Sequence, residues 1–182
     1  MSGHSKWHQI KHKKEATDKK RGTLFSKLLK AIAVAAREQA NPAFNPRLRT
    51  AIETARAANV PQDNIERALT KSAATDSLEE ITLEAYGPEK SALIIECITD
   101  NRNRTIGEVK QILKDAGARI ADQGSAAWAF NSPSAEQPRW TPRFAQDVSS
   151  ETMANLIRLV EFLEDNPDVE RVTTNVASWP TR

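Results

Sequence analysis

The stretch ITLEAYGPEKSALIIECIT, residues 81–99, carries two apolar runs about a GPEK turn. In residues 81–87 apolar and polar side chains alternate, which is the period of a strand. Residues 91–99 resume the pattern after the turn, so the pair predicts a β-hairpin. Residues Asn101 to Ala116 place Ile106, Val109, Ile112 and Leu113 at helical spacing, with Gly117 as the stop. SAAWAF, residues 125–130, predicts a third strand, whereas NSPSAEQPRWTPRF after it is too rich in Pro and Ser for regular structure. A helix follows over Ser150 to Asn166, with Met153, Leu156, Ile157, Val160 and Leu163 on one face, and VERVTTNV, residues 169–176, closes as a strand. The order β, β, α, β, α, β predicts an antiparallel sheet covered by two helices.

Towards the N-terminus the character changes. AATDSLEE, residues 73–80, has Leu78 as its only large apolar residue and reads as a linker. Before it, Leu24, Phe25, Leu28, Leu29, Ile32 and Ala36 recur at intervals of three and four, the signature of an amphipathic helix. Gly22 and Thr23 supply a break and a plausible N-cap for it, and NPAFNP, residues 41–46, ends it. A second helix is expected from Pro46 to about Ala58 and a third after Pro61, with Ile65 and Leu69 facing inward. Residues 5–21 hold only Trp7 and Ile10 as large apolar side chains and cannot bury much of themselves. The expected fold class is α+β: an N-terminal helical bundle at residues 1–74, then a four-stranded, mainly antiparallel sheet covered by two helices at 78–178. Residues 131–149 form an irregular linker within the second domain.

A length of 182 residues with 39% apolar and 27% charged side chains describes an ordinary folded chain rather than a disordered one. The formal charge of +2 hides an asymmetry. Residues 1–72 hold 15 basic and 6 acidic side chains, net +9, and residues 73–182 hold 11 and 18, net −7. One half attracts polyanions and the other does not. Cys97 is the only cysteine, which excludes an intramolecular disulfide and a Cys-based zinc site and suits a reducing compartment. No membrane-spanning apolar run or secretory signal is visible, so a cytoplasmic location is expected.

Positive charge is densest in KWHQIKHKKEATDKKRG, where Lys6, Lys11, Lys13, Lys14, Lys19, Lys20 and Arg21 face only Glu15 and Asp18. Concentrated positive charge with few internal partners is the footprint of phosphate binding. Trp7 and the three histidines, His4, His8 and His12, lie among the lysines and offer flat surfaces for stacking on unpaired bases, which tilts the balance slightly from regular duplex towards RNA or irregular nucleic acid. A solvated basic arm is the plainer reading, and Trp7 together with the net charge weighs against it. His4, His8 and His12, four apart, would share a helix face, but the surrounding lysines repel a cation and nothing completes a tetrahedral site, so no metal is expected.

DNRNRT, residues 100–105, joins the hairpin to the following helix. Its Arg102 and Arg104, with the helix's first N–H groups, form a candidate anion site, and capping plus surface charge explains the same residues. NPRLR places Arg47 and Arg49 in a first helical turn, where the helix dipole prefers anions, so binding or a surface salt bridge is expected of them. There is no Gly-rich phosphate loop, no metal-ligand cluster and no nucleophile elbow, and Cys97 sits in an apolar strand, so catalysis is not expected.

GHSKWHQIKHKK, DKKRGTLFSKL, NPRLR, NVPQDNIERAL, DNRNRT, GSAAWAF and LVEFLEDNPDVERV, in that order, resemble the YebC/TACO1 family. The resemblance implies a helical N-terminal domain and a mixed α/β part. It also implies a role as a transcriptional regulator on DNA or a translation factor on ribosomal RNA and the ribosome. Family members carry a further α/β domain between the GS-x-A-x-x-F segment and the last helix, a space filled here by Asn131 to Ser149. Trp140, Thr141 and Pro142 are read as a remnant of its exit. No cofactor, membrane or small-molecule substrate is implied. The other class of function to weigh is a protein-interaction adaptor acting through the acidic half.

Overall fold

The computed structural model describes residues 3–71, 77–134 and 137–180, with side chains described from Thr17 onward in the first helix and up to Thr70 in the third. The chain divides into two compact units, residues 1–76 and 77–182.

The first unit is built on helices α1 (Gly3–Glu38), α2 (Pro46–Ala57) and α3 (Gln62–Lys71). Leu28, Ile32, Ala35 and Ala36 of α1 close a core with Leu48, Ile52 and Ala55 of α2 and Ile65 of α3. The expected break at Gly22 is absent, because α1 runs unbroken through it for 36 residues. A Cβ at Gly22 would meet nothing within 4 Å, so nothing in its surroundings requires a glycine there. Glycine's intrinsic helix cost of about 1 kcal/mol is too small to stop a run flanked by Lys, Arg, Leu and Ala.

Asn45 makes the joint between α1 and α2. Its side chain accepts the Leu48 N–H at 2.9 Å as an N-cap and donates to the carbonyls of Ala35 at 2.7 Å and Gln39 at 2.8 Å. Asn59 turns the chain between α2 and α3 in the left-handed region, φ 60°, which asparagine tolerates better than most residues.

The second unit contains strands β1 (Glu79–Tyr86), β2 (Ala92–Thr99), β3 (Arg119–Ala121), β4 (Phe130–Asn131), β5 (Thr141–Pro142) and β6 (Val169–Thr174), with helices α4 (Arg102–Asp115) and α5 (Ser150–Glu164). A four-stranded sheet runs in the order β3-β1-β2-β6 with every neighbour antiparallel. Alternation along β2 sends Leu93, Ile95 and Cys97 towards Val109 and Leu113 of α4 and Leu156, Leu159 and Leu163 of α5. Ala92 and Ile94, on the opposite face, are covered by Ala126, Ala129 and Phe130.

SAAWAF is not a strand of this sheet. Residues 127–129 form a single 3₁₀ turn, and only Phe130 and Asn131 are extended, paired with Pro142 and Thr141 in a separate two-stranded ribbon. The cause is Glu84 of β1, which is buried. Its Oε1 accepts the Gly124 N–H at 2.5 Å, and its Oε2 accepts those of Ala126 and Ala127 at 2.7 Å each. Three N–H groups converging on one carboxylate curl the segment, whereas a strand would send successive N–H groups to opposite sides. The sheet edge is taken instead by β3, which pairs with Glu84 to Tyr86. Among the described residues no helix is long and apolar enough to cross a membrane.

Candidate nucleic-acid interface

Lys6, Trp7, Lys11, His12, Lys13 and Lys14 all lie on α1. Their side chains, like those of the His4, His8 and His12 series, lie outside the described residues. A continuous helix gives their positions an order that a loose arm lacks. Positions 6, 13, 20 and 27, all lysine, follow at seven-residue intervals and so share one flank of α1. Lys19, Lys20 and Arg21 are exposed, and the Arg21 guanidinium lies 5.1 Å from the centre of the Phe25 ring. Cation–π contact holds that charge at the point where the packed part of the helix begins.

Arg47 and Arg49 occupy the first turn of α2 and are exposed. Two residues apart on a helix, they point to different flanks and do not converge on one ligand. Arg47 Nη1 lies 3.1 Å from Glu38 Oε1, an exposed ion pair. Pairs of that kind contribute about 0–1 kcal/mol.

In the second unit, Arg102 and Arg104 meet carboxylates. Arg102 is 3.7 Å from Glu79. Arg104 Nη2 donates to Asp168 at 2.6 Å and to Asp100 at 2.8 Å. Asp168 is almost fully buried, and its Oδ2 also lies 2.6 Å from the Thr105 hydroxyl and 3.3 Å from that of Thr99. These bonds tie the start of α4 to the end of β2 and the entry to β6. The Asp168 bond, then the Asp100 bond, raise the Arg104 pKa above its already high ordinary value. Asn101 caps the helix by accepting the Arg104 N–H at 3.1 Å. The arrangement neutralises Arg104 from within and gives it a clear structural role.

A feature missed by reading the sequence lies on the opposite side of the sheet from α4 and α5, beyond Glu84. Trp128 and Phe144 are both exposed, with ring centres 5.6 Å apart. The Arg143 guanidinium lies 5.1 Å from the Phe144 ring, and that of Arg119 lies 5.4 Å from the Tyr86 ring. The one sequence signal was the recurrence of arginine beside an aromatic residue in RWTPRF, residues 139–144. Among the described residues there is no group of three or more His, Cys, Asp or Glu able to hold a metal ion.

The class so defined is an α+β protein made of a basic three-helix unit and a helix-covered antiparallel sheet. Residues 5–75 match the TACO1/YebC protein N-terminal domain, and residues 78–135 match the TACO1/YebC second and third domain. The chain belongs to the TACO1/YebC family. It is 51% identical over 135 residues to a "Probable transcriptional regulatory protein" of Chlorobaculum parvum, a match covering 72% of this chain and 54% of the relative. A protein of the same name from Chloroherpeton thalassium is 45% identical over 169 residues, covering 91% of this chain and 65% of the relative. The crystal structure of a conserved hypothetical protein from Aquifex aeolicus superposes with a TM-score of 0.77 at 30% identity, covering 86% of this chain and 90% of that one. The chain spans about half the length of the first curated relatives it matches, 54% for those from Chlorobaculum parvum and Persephonella marina.

Proposed function

We propose that the protein is a non-catalytic regulator of gene expression that holds a nucleic-acid backbone along α1. The observation that carries this reading is the concentration of net charge +9 in residues 1–72, much of it strung along one continuous helix. Lys6, Lys11, Lys13, Lys14, Lys19, Lys20 and Arg21 neutralise phosphates, and Trp7 and His12 stack on neighbouring bases. Arg47 and Arg49 add charge at the start of α2. Arg102, exposed on the second unit, adds charge there, and Arg104 acts on the fold rather than on the ligand.

The relatives' names favour transcription on DNA. The mixture of Lys, His and Trp favours folded RNA, as in a translation factor on the ribosome. The α2–turn–α3 pair offers no electrostatic pull towards a DNA groove from α3, whose Asp63 and Glu66 balance Arg67 and Lys71.

Fluorescence anisotropy with a duplex DNA and a ribosomal RNA fragment, over a range of salt, tests the reading. Neutralising six phosphates gives a slope of log affinity on log salt of about −5 for duplex and about −4 for single strands. A salt-independent complex, or none with either probe, overturns the proposal and favours an adaptor working through the acidic second unit. Fractionating a lysate on sucrose gradients with and without RNase separates the two settings, because only a ribosome-bound factor leaves the heavy fractions on digestion.

A further inference from the structure

Trp128 borders a depression of about 800 Å³ that is also lined by Tyr86, Lys90, Arg119 and Gln146. That volume falls within the range of small-molecule sites, of order 300–1,000 Å³, and is ample for a nucleotide. Tyr86 and Trp128, which line it, and Phe144, whose ring centre lies 5.6 Å from that of Trp128, stand on firmly held backbone. Glu84 gathers the turn that ends at Trp128, and the Tyr86 hydroxyl donates to the Ser125 carbonyl. The Phe144 N–H donates to the Ala129 carbonyl at 3.2 Å, and its own carbonyl accepts Asn175 Nδ2 at 3.1 Å. Glu89 and Lys90, at the rim, both adopt left-handed backbone with φ 52° and 61°, an arrangement that collects at functional sites.

The chemistry of the patch selects its occupant. A protein-docking surface is expected to present a contiguous apolar area, whereas here the Tyr86 and Phe144 rings each have a guanidinium beside them. Lys90, Arg119 and Arg143 supply positive charge within a unit whose own net charge is negative. Among the described residues lining the depression the one carboxylate, Glu89, is taken up by the Ser149 and Thr152 hydroxyls at 2.6 and 2.8 Å. Flat rings at a wet surface with cations beside them match a base and its phosphate.

We propose that Trp128 and Phe144, with Arg143 beside Phe144 and Arg119 lining the same depression as Trp128, form a stacking platform for one or two unpaired nucleotides of a single-stranded nucleic acid. This rests on the reading of the chain as a nucleic-acid binder and adds a second contact, on the other unit, which distinguishes unpaired from paired strands. Duplex bases are stacked on each other and have no open face to offer.

The test measures binding of the full chain to labelled oligo(U) RNA, oligo(dT) DNA and an RNA duplex, each of about 12 nucleotides per strand, within the ~4–16 spanned by single-strand sites. Trp128→Ala is expected to weaken both single strands about tenfold, inside the range for loss of one base–aromatic stack, and to leave the duplex unchanged. Trp128→Phe, which keeps a ring, restores most of the affinity. Tighter RNA than DNA in the wild type assigns the site to RNA, and equal binding assigns it to any single strand. A second arm needs no variant: 4-thiouridine in the oligo(U) should cross-link at residues 128–144 of the wild-type chain. If Trp128→Ala binds single strands as the wild type does while Lys13→Ala/Lys14→Ala weakens every probe, or if cross-links stay within α1, the platform is refuted and the nucleic-acid reading stands. If the wild type binds no probe, both fall together.

Discussion

Removing the Glu84 carboxylate should loosen one defined turn and leave the rest of the second unit intact. Its three bonds run to the N–H groups of Gly124, Ala126 and Ala127 at 2.5–2.7 Å. Bonds to a charged acceptor contribute about 1.5–3 kcal/mol each, and an orphaned buried donor costs about 1–3 kcal/mol. Gly124 is exposed and Ala127 half-buried, so water replaces the acceptor at both, whereas the fully buried Ala126 N–H is stranded. Glu84→Ala should therefore destabilise the unit by about 2–4 kcal/mol, against about 5–15 kcal/mol for a whole domain. Glu84→Gln keeps one good acceptor, which serves Ala126 and Ala127 while its NH₂ confronts the exposed Gly124 N–H, at a cost of about 1–2 kcal/mol. Urea unfolding in a Trp7→Phe background reads the second unit by fluorescence, because Trp128, Trp140 and Trp179 all lie there. Glu84→Ala within about 0.5 kcal/mol of the parent, the scatter of neutral surface changes, would refute the clamp.

Asn45→Ala should cost about 2 kcal/mol through the loss of a cap and two carbonyl acceptors' partner. Asn45→Asp should be at least as damaging in thermal melts despite being a good cap, since it turns a donor into an acceptor facing two carbonyls; a neutral Asp variant would reduce Asn45 to a simple N-cap. At Gly87 a Cβ would approach Ser91 Oγ to 2.7 Å and Leu156 Cδ2 to 2.8 Å, so Gly87→Ala should destabilise by about 1–3 kcal/mol through overpacking, as chemical denaturation will show. The Ser149 and Thr152 hydroxyls, then the Ser149 N–H, hold the Glu89 pKa below its ordinary 4.5. Its folded value thus lies below its unfolded one, so the stabilisation is complete above the unfolded value and is lost as pH falls through the folded value. Protection of the first-turn amides of α5, measured against their intrinsic exchange at each pH, should fall below about pH 4.5, and Glu89→Gln should remove that acid-dependent step.

Long, strongly periodic segments were legible in the sequence. The hairpin of β1 and β2, the faces of α4 and α5, and the apolar stripe of α1 all follow from spacing, because each buries a continuous set of side chains. What escaped was set by contacts distant in sequence. Glu84 occupies a position that alternation assigns to an outward polar residue, and only the turn forty residues later explains its burial. That bond denied SAAWAF its strand, and β3, three residues long, is too short for any period to show. Gly22 misled for the opposite reason, because a breaker signal counted for more than the run of good helix formers around it. The arginines of DNRNRT were visible by composition, but Asp168, which holds Arg104, lies 64 residues away in the chain. Trp128 and Phe144 were individually unremarkable and acquire meaning only from their 5.6 Å separation.

The ribbon of β4 and β5 brings Phe130 opposite Pro142 and Asn131 opposite Thr141, with the Trp140 ring edge-on to Phe130 at 6.5 Å. Chain leaving at Asn131 and chain returning at Thr141 are thus about one strand spacing apart, roughly 5 Å. Such a gate is indifferent to what hangs from it. Doubling the length of the excursion adds only about 0.6 kcal/mol of closure entropy, and a folded module whose ends lie close together adds less still. A lineage can therefore splice a whole module in at this point, or shed one, without re-registering the four-stranded sheet. A change of chain length made at this doorway leaves the surfaces on either side of it as they are.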